Sequence, residues 1–208
     1  MGAPRVVTER DVPPSGELRV PVGTIVTPAA RDAAQSRGVQ IVEAPEGELA
    51  SATPPERTVA LGADHGGYRL KEALKPILAE LGLEVRDVGV SEETPVDYPD
   101  IAGQVAELVA HGQAARGIII DGAGIGSAIA ANKVPGIRAA LCYDRASARN
   151  SREHNDANVL TLGGRLLTVS QAEEVVRTWL ATPFAGGRHL TRIRKISALE
   201  QRYSRSAR

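Results

Sequence analysis

The feature of this sequence that most limits its fold is a regular alternation of short apolar runs with stretches of helical periodicity after residue 57. The apolar runs cover residues 59–63, 83–88, 117–120, 137–142 and 159–162, and the helical stretches cover residues 68–81, 99–111, 125–132, 145–153 and 171–180. Strands that alternate with helices pair in parallel, and the helices then cover both faces of the sheet. The sequence therefore predicts an α/β domain of three layers, α/β/α, around a five-stranded parallel sheet.

The residues before this domain predict a small β-α-β extension. Residues 18–20 favour a strand, Thr27 and Pro28 fit the N-cap and first position of a helix, and Gly38 ends that helix before a strand at residues 39–42. So short a unit is expected to bury no core alone, and therefore to dock on the main domain or on another protein.

A linker separates the two parts. Residues 43–57, EAPEGELASATPPER, are rich in Pro, Ala, Ser and Glu and have no hydrophobic period. The chain is therefore predicted to consist of an extension at residues 1–42, a linker at residues 43–57 and a main domain at residues 58–208.

Charge and composition exclude several classes of protein. The chain has 25 Lys and Arg against 25 Asp and Glu, so no net charge draws it to nucleic acid or to an anionic membrane. No apolar run approaches the roughly 20 residues of a membrane helix, and the N-terminus lacks the apolar segment of a secretory signal. The single cysteine, Cys142, fits a reducing compartment. We expect a cytoplasmic protein.

Ligands of parallel sheets bind beyond the carboxyl ends of the strands, so the residues after each apolar run are the first candidates for a site. Asp64 and His65 follow the first run and precede Gly66 and Gly67. A carboxylate and an imidazole at this position suit acid–base chemistry. The alternative is structural, with Asp64 as a helix N-cap and His65 on the surface.

A glycine-rich segment follows the third apolar run. Asp121 is succeeded by Gly122, Ala123, Gly124, Ile125, Gly126 and Ser127. Glycines at alternate positions before a helix expose backbone N–H groups, which suit a phosphate or an oxyanion that forms during a reaction. The spacing G-x-G-x-G argues against a dinucleotide fingerprint. Beside this cradle, Asp121 is suited to act as a base.

Further candidates lie towards the C-terminus. His154 suits acid–base chemistry or, alternatively, a helix C-cap. Arg165 follows the fifth apolar run, and Arg188 and Arg192 are four residues apart on one helix face, where they suit a phosphate dianion. A basic tail on nucleic acid is the alternative, but one Trp, four Tyr and one Phe leave little for bases to stack on.

Together, the ordered motifs G-A-D-H-G-G, G-A-G-I-G-S-A-I-A-A-N-K-V-P-G-I-R-A, S-R-E-H-N-D-A-N-V-L, G-G-R and G-G-R-H-x-x-R resemble the ribose-5-phosphate isomerase B family, which includes the galactose-6-phosphate isomerase subunits. The resemblance covers residues 58–203. It implies a Rossmann-like fold and an aldose–ketose isomerase of sugar phosphates that works through a cis-enediolate without metal or cofactor. It also implies a homodimer, or a dimer of dimers, with shared active sites and a C-terminal helix that reaches the partner.

The resemblance also implies residue roles. His154 would assist ring opening with Asn155 beside it, and Asp64 and His65 would contact the sugar, with Asp64 shuttling protons between hydroxyls. The segment that would hold the enediolate consists of Gly122, Ala123, Gly124, Ile125, Gly126 and Ser127. The residues that would bind the phosphate are Arg165, Arg188, His189 and Arg192.

The base is where this sequence departs from the family pattern. Asp121 stands where many members have cysteine, Ser127 where others have glutamate, and Ala123 where a hydroxyl residue is usual; Cys142 is not at the nucleophile position. Because a carboxylate is competent for enediol proton transfer, Asp121 is predicted to be the base and ribose 5-phosphate the substrate. The alternatives are another substrate, such as galactose 6-phosphate or a tetrose phosphate, or a catalytically altered sugar-phosphate-binding assembly protein.

Residues 1–57 lie outside the typical family domain. The stretch from Val20 to Ile41 resembles a segment found at the ends of enzymes associated with bacterial microcompartments. That resemblance implies recruitment to a protein shell or to a partner enzyme, inside a microcompartment. The alternative is a structural addition that packs on the dimer or enlarges the oligomer.

Overall fold

The computed structural model describes residues 6–12, 17–44 and 57–205 and divides the chain into two compact units, Met1–Pro54 and Pro55–Arg208. Most of the predicted linker, residues 45–56, lies outside the described residues, so the linker stays a prediction. Within the described part of the chain, every helix is too short or too polar to cross a bilayer.

The N-terminal unit contains two short parallel ladders and one helix. Its elements are β1 (Val6–Val7), a 3-10 turn (Glu9–Asp11), β2 (Glu17–Pro21), β3 (Ile25–Val26), α1 (Pro28–Arg37) and β4 (Gln40–Ala44). β1 pairs with β3, and β2 pairs with β4. The Thr27 hydroxyl accepts the N–H of Ala30 at the start of α1, and Gly38 ends the helix at a φ of 66°. These observations confirm the predicted β-α-β order.

This unit has a small apolar cluster of its own. The buried members of the cluster are Val7, Val12, Val20, Ala30, Ala33, Ala34 and Val39. Three of them are alanines on one face of α1, and their short side chains let the strands approach the helix closely. The expectation that so short a unit buries no core was therefore wrong.

The second unit alternates strands and helices around one sheet. Its elements are β5 (Thr58–Ala63), α2 (Tyr68–Glu80), β6 (Glu84–Asp87), α3 (Tyr98–Ala110), β7 (Arg116–Asp121), α4 (Ile125–Ala131), β8 (Ala139–Leu141), α5 (Arg145–Glu153), β9 (Val159–Gly163), α6 (Val169–Ala181) and α7 (Arg188–Arg205). The strands form one five-stranded parallel sheet in the order β6-β5-β7-β9-β8. The predicted five-stranded parallel sheet is confirmed.

Two apolar clusters cover the two faces of this sheet. Ile118 and Ile120 of β7 pack in one cluster with Trp179 of α6, whereas Ile119 packs in the other with Val105 of α3. Successive side chains of a strand point to opposite faces, so a strand buried on both faces is apolar throughout. This arrangement confirms the predicted three layers, α/β/α.

The strand order sets the place where a ligand can bind. Strand β5 lies between β6 and β7 in the sheet. The chain therefore adds β6 on one side of β5 and then adds β7 on the opposite side. Ala63 of β5 pairs with Ile120 of β7, and Asp121 pairs with Gly163 of β9. The segments that follow these three strands therefore leave the sheet side by side at its ligand-binding edge.

Candidate active site

The loops that follow β5, β7 and β9 meet at this edge of the sheet through backbone contacts. The Asp64 N–H donates to the Ile120 carbonyl at 3.1 Å, and the Gly164 N–H donates to the Asp121 carbonyl at 2.7 Å. A Cβ on Gly67 would lie 2.2 Å from the Ile120 oxygen, well inside van der Waals contact. Glycine is therefore required there, because any side chain would separate the first loop from β7.

Asp64 is buried at the end of β5 and organises the loop that follows it. Its Oδ1 atom accepts the N–H groups of Gly66 at 2.8 Å and Gly67 at 3.0 Å. Among the described residues, the hydrogen bonds to the Asp64 carboxylate all go to Oδ1 and leave Oδ2 without a donor. The buried Nδ1 atom of His65 has no partner among these residues either. The N-cap of α2 is Gly67, so the alternative that Asp64 is a helix N-cap was wrong. Asp64 instead anchors the loop before the helix through one oxygen and leaves the other available to a ligand.

Asp121 is enclosed by the glycine-rich segment. Its Oδ1 atom accepts the N–H groups of Ala123, at 2.7 Å, and of Gly124, and its Oδ2 atom accepts the N–H of Ser127 at 2.9 Å. The Asp121 residue is 5% exposed. These N–H groups were expected to stand open for a substrate anion, but here they bind the loop's own carboxylate. Since a carboxylate offers about four acceptor positions, about one position, on Oδ2, stays free.

Two tyrosines beside this segment were missed by the sequence analysis. The Tyr143 hydroxyl donates to the Ala123 carbonyl at 2.8 Å. The Tyr98 ring packs on Gly126, where a Cβ would lie 2.6 Å from the ring. Tyr143 comes soon after the fourth apolar run, so the rule that singled out Asp64 would have found it; Tyr98 has no comparable pattern.

Arg165 completes this first group of site residues. It follows β9, and its N–H donates to the Gly122 carbonyl at 3.1 Å. Its side chain is exposed and passes close to Gly122, where an added Cβ would lie 3.6 Å from Arg165 Cδ. A guanidinium therefore lies near the glycine-rich segment, where it can bind an anion.

A second group forms where α5 ends and α7 begins. The rings of His154 and His189 stack with centroids 4.2 Å apart and planes 5° from parallel. His154 is the C-cap of α5, as the structural alternative expected, and its Nδ1 atom lies 2.9 Å from the Asn150 side-chain nitrogen. Asn155 is exposed and donates to Asn150.

Burial and nearby positive charge act on His189. Its side chain is buried, and burial lowers the pKa of its imidazole, with a further lowering by the charges of His154, Arg188 and Arg192. Its Nδ1 atom has no partner among the described residues. Arg188 and Arg192 are exposed, and no carboxylate of the described residues forms an ion pair with them, so this end of α7 presents positive charge to a ligand.

Ion pairs and hydrogen bonds of the next residue, Asp156, stabilise the turn that contains His154 and Asn155. Asp156 has a φ of 45°, and its carboxylate pairs with Arg138 at 3.0 Å and with Arg152 at 2.7 Å. Arg152 also donates to the Ala157 carbonyl. These bonds stabilise a left-handed residue that would otherwise be unfavourable.

The structure therefore brings the predicted residues together in two groups. The first contains Asp64, His65, the segment from Asp121 to Ser127, and Arg165; the second contains His154, Asn155, Arg188, His189 and Arg192. In the described part of the chain, no hydrogen bond or ring contact joins one group to the other. Nor do the described residues include three His, Cys, Asp or Glu side chains grouped to hold a metal ion.

The only cysteine has no part in either group. Cys142 lies in the apolar cluster between the sheet and α6, and burial raises the pKa of its thiol. A buried thiol with a raised pKa supplies little thiolate, which is the nucleophilic form.

Comparison with known proteins identifies both the class, an aldose–ketose isomerase, and the family. Residues 59–196 match the family model of the ribose/galactose isomerases, and the chain belongs to this family. Ribose-5-phosphate isomerase B of Escherichia coli is 45% identical over 146 residues, 70% of this chain and 98% of that protein.

Two further relatives bear on structure and substrate. The structure of Clostridium thermocellum ribose-5-phosphate isomerase B is similar with a TM-score of 0.69 and 51% identity, over 70% of this chain and 99% of that one. A D-erythrulose-4-phosphate isomerase of Pectobacterium atrosepticum is 39% identical over 69% of this chain and 95% of that protein. Both types of relative are sugar-phosphate isomerases.

Proposed function

We propose that this chain interconverts ribose 5-phosphate and ribulose 5-phosphate through a cis-enediolate, with Asp121 as the base. The observation that carries the proposal is the buried Asp121 carboxylate, which is fixed at the end of β7 by three backbone N–H groups and keeps an acceptor position free on Oδ2. The relatives named as ribose-5-phosphate isomerase B support the substrate.

The chemistry needs one carbon-bound proton to move. Asp121 Oδ2 removes the proton from C2 of the open aldehyde and returns it to C1, while the hydroxyl proton on O2 passes to O1. Asp64 Oδ2, which no donor of the described residues reaches, suits this second transfer. Because both carboxylates are anchored through backbone N–H groups, they are positioned before the substrate arrives.

The phosphate and the sugar ring are assigned to the second group, together with Arg165 of the first group. Arg188 and Arg192 bind the phosphate dianion with Arg165 and His189, since exposed guanidinium groups form charge-assisted hydrogen bonds to phosphate. His154 assists ring opening by a hydrogen bond to the ring oxygen, and Asn155 lies beside it. No step of this scheme requires a metal or an organic cofactor.

The active site is proposed to form between two copies of the chain. The two groups of site residues have no bond to each other within one chain, and α7 exposes Ile196 and Leu199, whose apolar side chains suit a contact with a partner. Each site of the homodimer would then combine the Asp121 group of one protomer with the His154 group of the other.

Mixing two inactive variants tests this shared site. Asp121→Asn and His154→Ala homodimers should each be inactive. After subunit exchange at equal concentration, heterodimers should recover about one quarter of the wild-type activity, since half the dimers are mixed and each contains one intact site. If mass measurement verifies that subunits have exchanged but no activity is recovered, each active site is formed by both groups of a single chain.

The direct test of the activity is turnover of ribose 5-phosphate by the purified full chain, with D-erythrose 4-phosphate and galactose 6-phosphate run alongside. We expect ribose 5-phosphate to give the highest kcat/KM. A preference for the tetrose phosphate would favour the second candidate, which the similarity to a D-erythrulose-4-phosphate isomerase supports. Binding of all three without turnover would favour a sugar-phosphate-binding assembly protein.

The N-terminal unit is proposed to recruit the isomerase to a microcompartment shell or a partner enzyme. The family match begins at residue 59, so this unit lies outside the matched domain, and it has its own apolar cluster. A chain that begins at Arg57 should keep its kcat/KM and lose sedimentation with shell particles. A fall in oligomer mass without loss of sedimentation would favour the structural alternative.

A further inference from the structure

Asn150 lies one turn before His154 on α5, and the side chains of residues four apart share a helix face. The Asn150 side-chain nitrogen is 2.9 Å from Nδ1 of His154. The His189 ring, stacked 4.2 Å away and nearly parallel, fixes the plane of the His154 imidazole. The stack thus determines the ring plane, and Asn150 determines which ring edge faces the helix.

The neighbouring groups determine which end of the Asn150 amide faces His154. The side-chain nitrogen of Asn155 lies 3.3 Å from the Asn150 backbone carbonyl, which can only accept. The same nitrogen lies 3.4 Å from Asn150 Oδ1 and donates to it. With its oxygen turned to Asn155, the Asn150 amide presents its NH₂ group to His154.

This arrangement sets the proton position on the imidazole. Because the Asn150 NH₂ group donates, Nδ1 of His154 must accept, and a neutral imidazole then carries its proton on Nε2. Protonation of Nδ1 would place two donors against each other.

We propose that Asn150 is a positioning residue that holds His154 as the neutral Nε2–H tautomer. Resting on the proposed isomerase function, the inference gives His154 a defined role in ring opening. The C1–O4 bond breaks with its electron pair passing to O4, and the O1 hydroxyl proton reaches O4 through a water molecule. The Nε2–H group donates a hydrogen bond to O4 as negative charge develops there, which a neutral imidazole can do without ionising.

The first test observes the tautomer directly. In full-length protein labelled with ¹⁵N-histidine, His154 is assigned by comparison with His154→Gln, and its two nitrogens are observed near pH 7.5. We expect an unprotonated Nδ1 and a protonated Nε2. A protonated Nδ1 would overturn the inference. The result holds whichever sugar phosphate the enzyme uses, so it is independent of the proposed function.

The second test reverses the hydrogen bond. Asn150→Asp has the same shape, but its carboxylate accepts from Nδ1–H and should move the His154 proton to Nδ1. The kcat for ribose 5-phosphate should fall about 100-fold with little change in KM, since a wrong histidine tautomer leaves binding intact but disables the donor. Wild-type kcat together with the switched tautomer would overturn the role in ring opening.

Two further variants separate this effect from altered charge and folding. Ala146→Asp adds the same charge on an exposed turn of α5, and it should change neither the tautomer nor kcat. Asn150→Ala removes the amide without adding charge and should give a mixture of both tautomers. A pure Nε2–H tautomer in Asn150→Ala would show that another group sets it and would contradict the inference.

Discussion

The imidazole rings of His154 and His189 stack with their centroids 4.2 Å apart and their planes 5° from parallel. The contact joins the end of α5 to the first turn of α7, and it brings the proposed ring-opening histidine against a residue of the proposed phosphate site. Burial of His189, and then the charge of His154 beside it, lower the pKa of the His189 imidazole.

The stability of the folded protein should depend on pH through His189. Burial, followed by the charges of His154, Arg188 and Arg192, lowers the pKa of this imidazole below its ordinary value of 6.5. Below about pH 6.5 the unfolded chain therefore binds a proton that the folded chain resists, and the free energy of unfolding falls as the pH decreases. The effect is absent above that pH.

Urea unfolding between pH 5 and pH 8 measures this effect. Wild type should lose more stability on acidification than His189→Asn, which has no imidazole to protonate. If the free energy of unfolding falls equally with pH in the two proteins, His189 is not the source of the pH dependence.

The contact between the first loop and β7 should not tolerate a side chain. Gly67→Ala places a Cβ 2.2 Å from the Ile120 carbonyl oxygen, so the backbone must move. We expect a loss of about 1–3 kcal/mol in the free energy of unfolding, or more, together with reduced turnover. Gly103→Ala on α3 is the matched control, since nothing lies within 4 Å of its Cβ, and it should gain about 0.5–1 kcal/mol. Equal effects at the two positions in urea unfolding would disprove the close packing.

Arg192 should act on binding more than on the chemical step. A hydrogen bond to a charged group contributes about 1.5–3 kcal/mol, so Arg192→Gln should raise KM for the sugar phosphate roughly 10- to 100-fold with a smaller change in kcat. Arg194→Gln removes an exposed charge from the same helix outside the proposed phosphate set and should change KM little. Similar KM values for the two variants in steady-state kinetics would remove Arg192 from the phosphate site.

Much of the fold could be predicted from local patterns. The alternation of apolar runs and helical periods determines the parallel sheet, and the capping residues Thr27 and Gly38 mark both ends of α1. Asp64 and Asp121 could also be predicted as site residues, because each follows the end of a strand. A parallel sheet binds its ligands beyond the carboxyl ends of its strands, whatever the sequence of the loops.

The pairing of side chains could not be predicted in the same way. That the N–H groups of the glycine-rich segment bind Asp121 depends on how the loop curls after β7, and the Tyr143 contact with Ala123 joins segments 20 residues apart. The bond between Asn150 and His154 has the right helical spacing, but spacing alone does not distinguish it from two exposed side chains.

The most direct measurement of the central claim is hydrogen exchange at the sugar carbons. Ribulose 5-phosphate is incubated in D₂O with wild type or Asp121→Asn, and deuterium at C1 is followed by NMR. If the Asp121 carboxylate transfers the proton, wild type should incorporate deuterium during turnover. The variant should incorporate it at least about 100-fold more slowly. Deuterium exchange by Asp121→Asn at the wild-type rate would contradict the account. Turnover by Asp121→Asn at the wild-type rate would also contradict it.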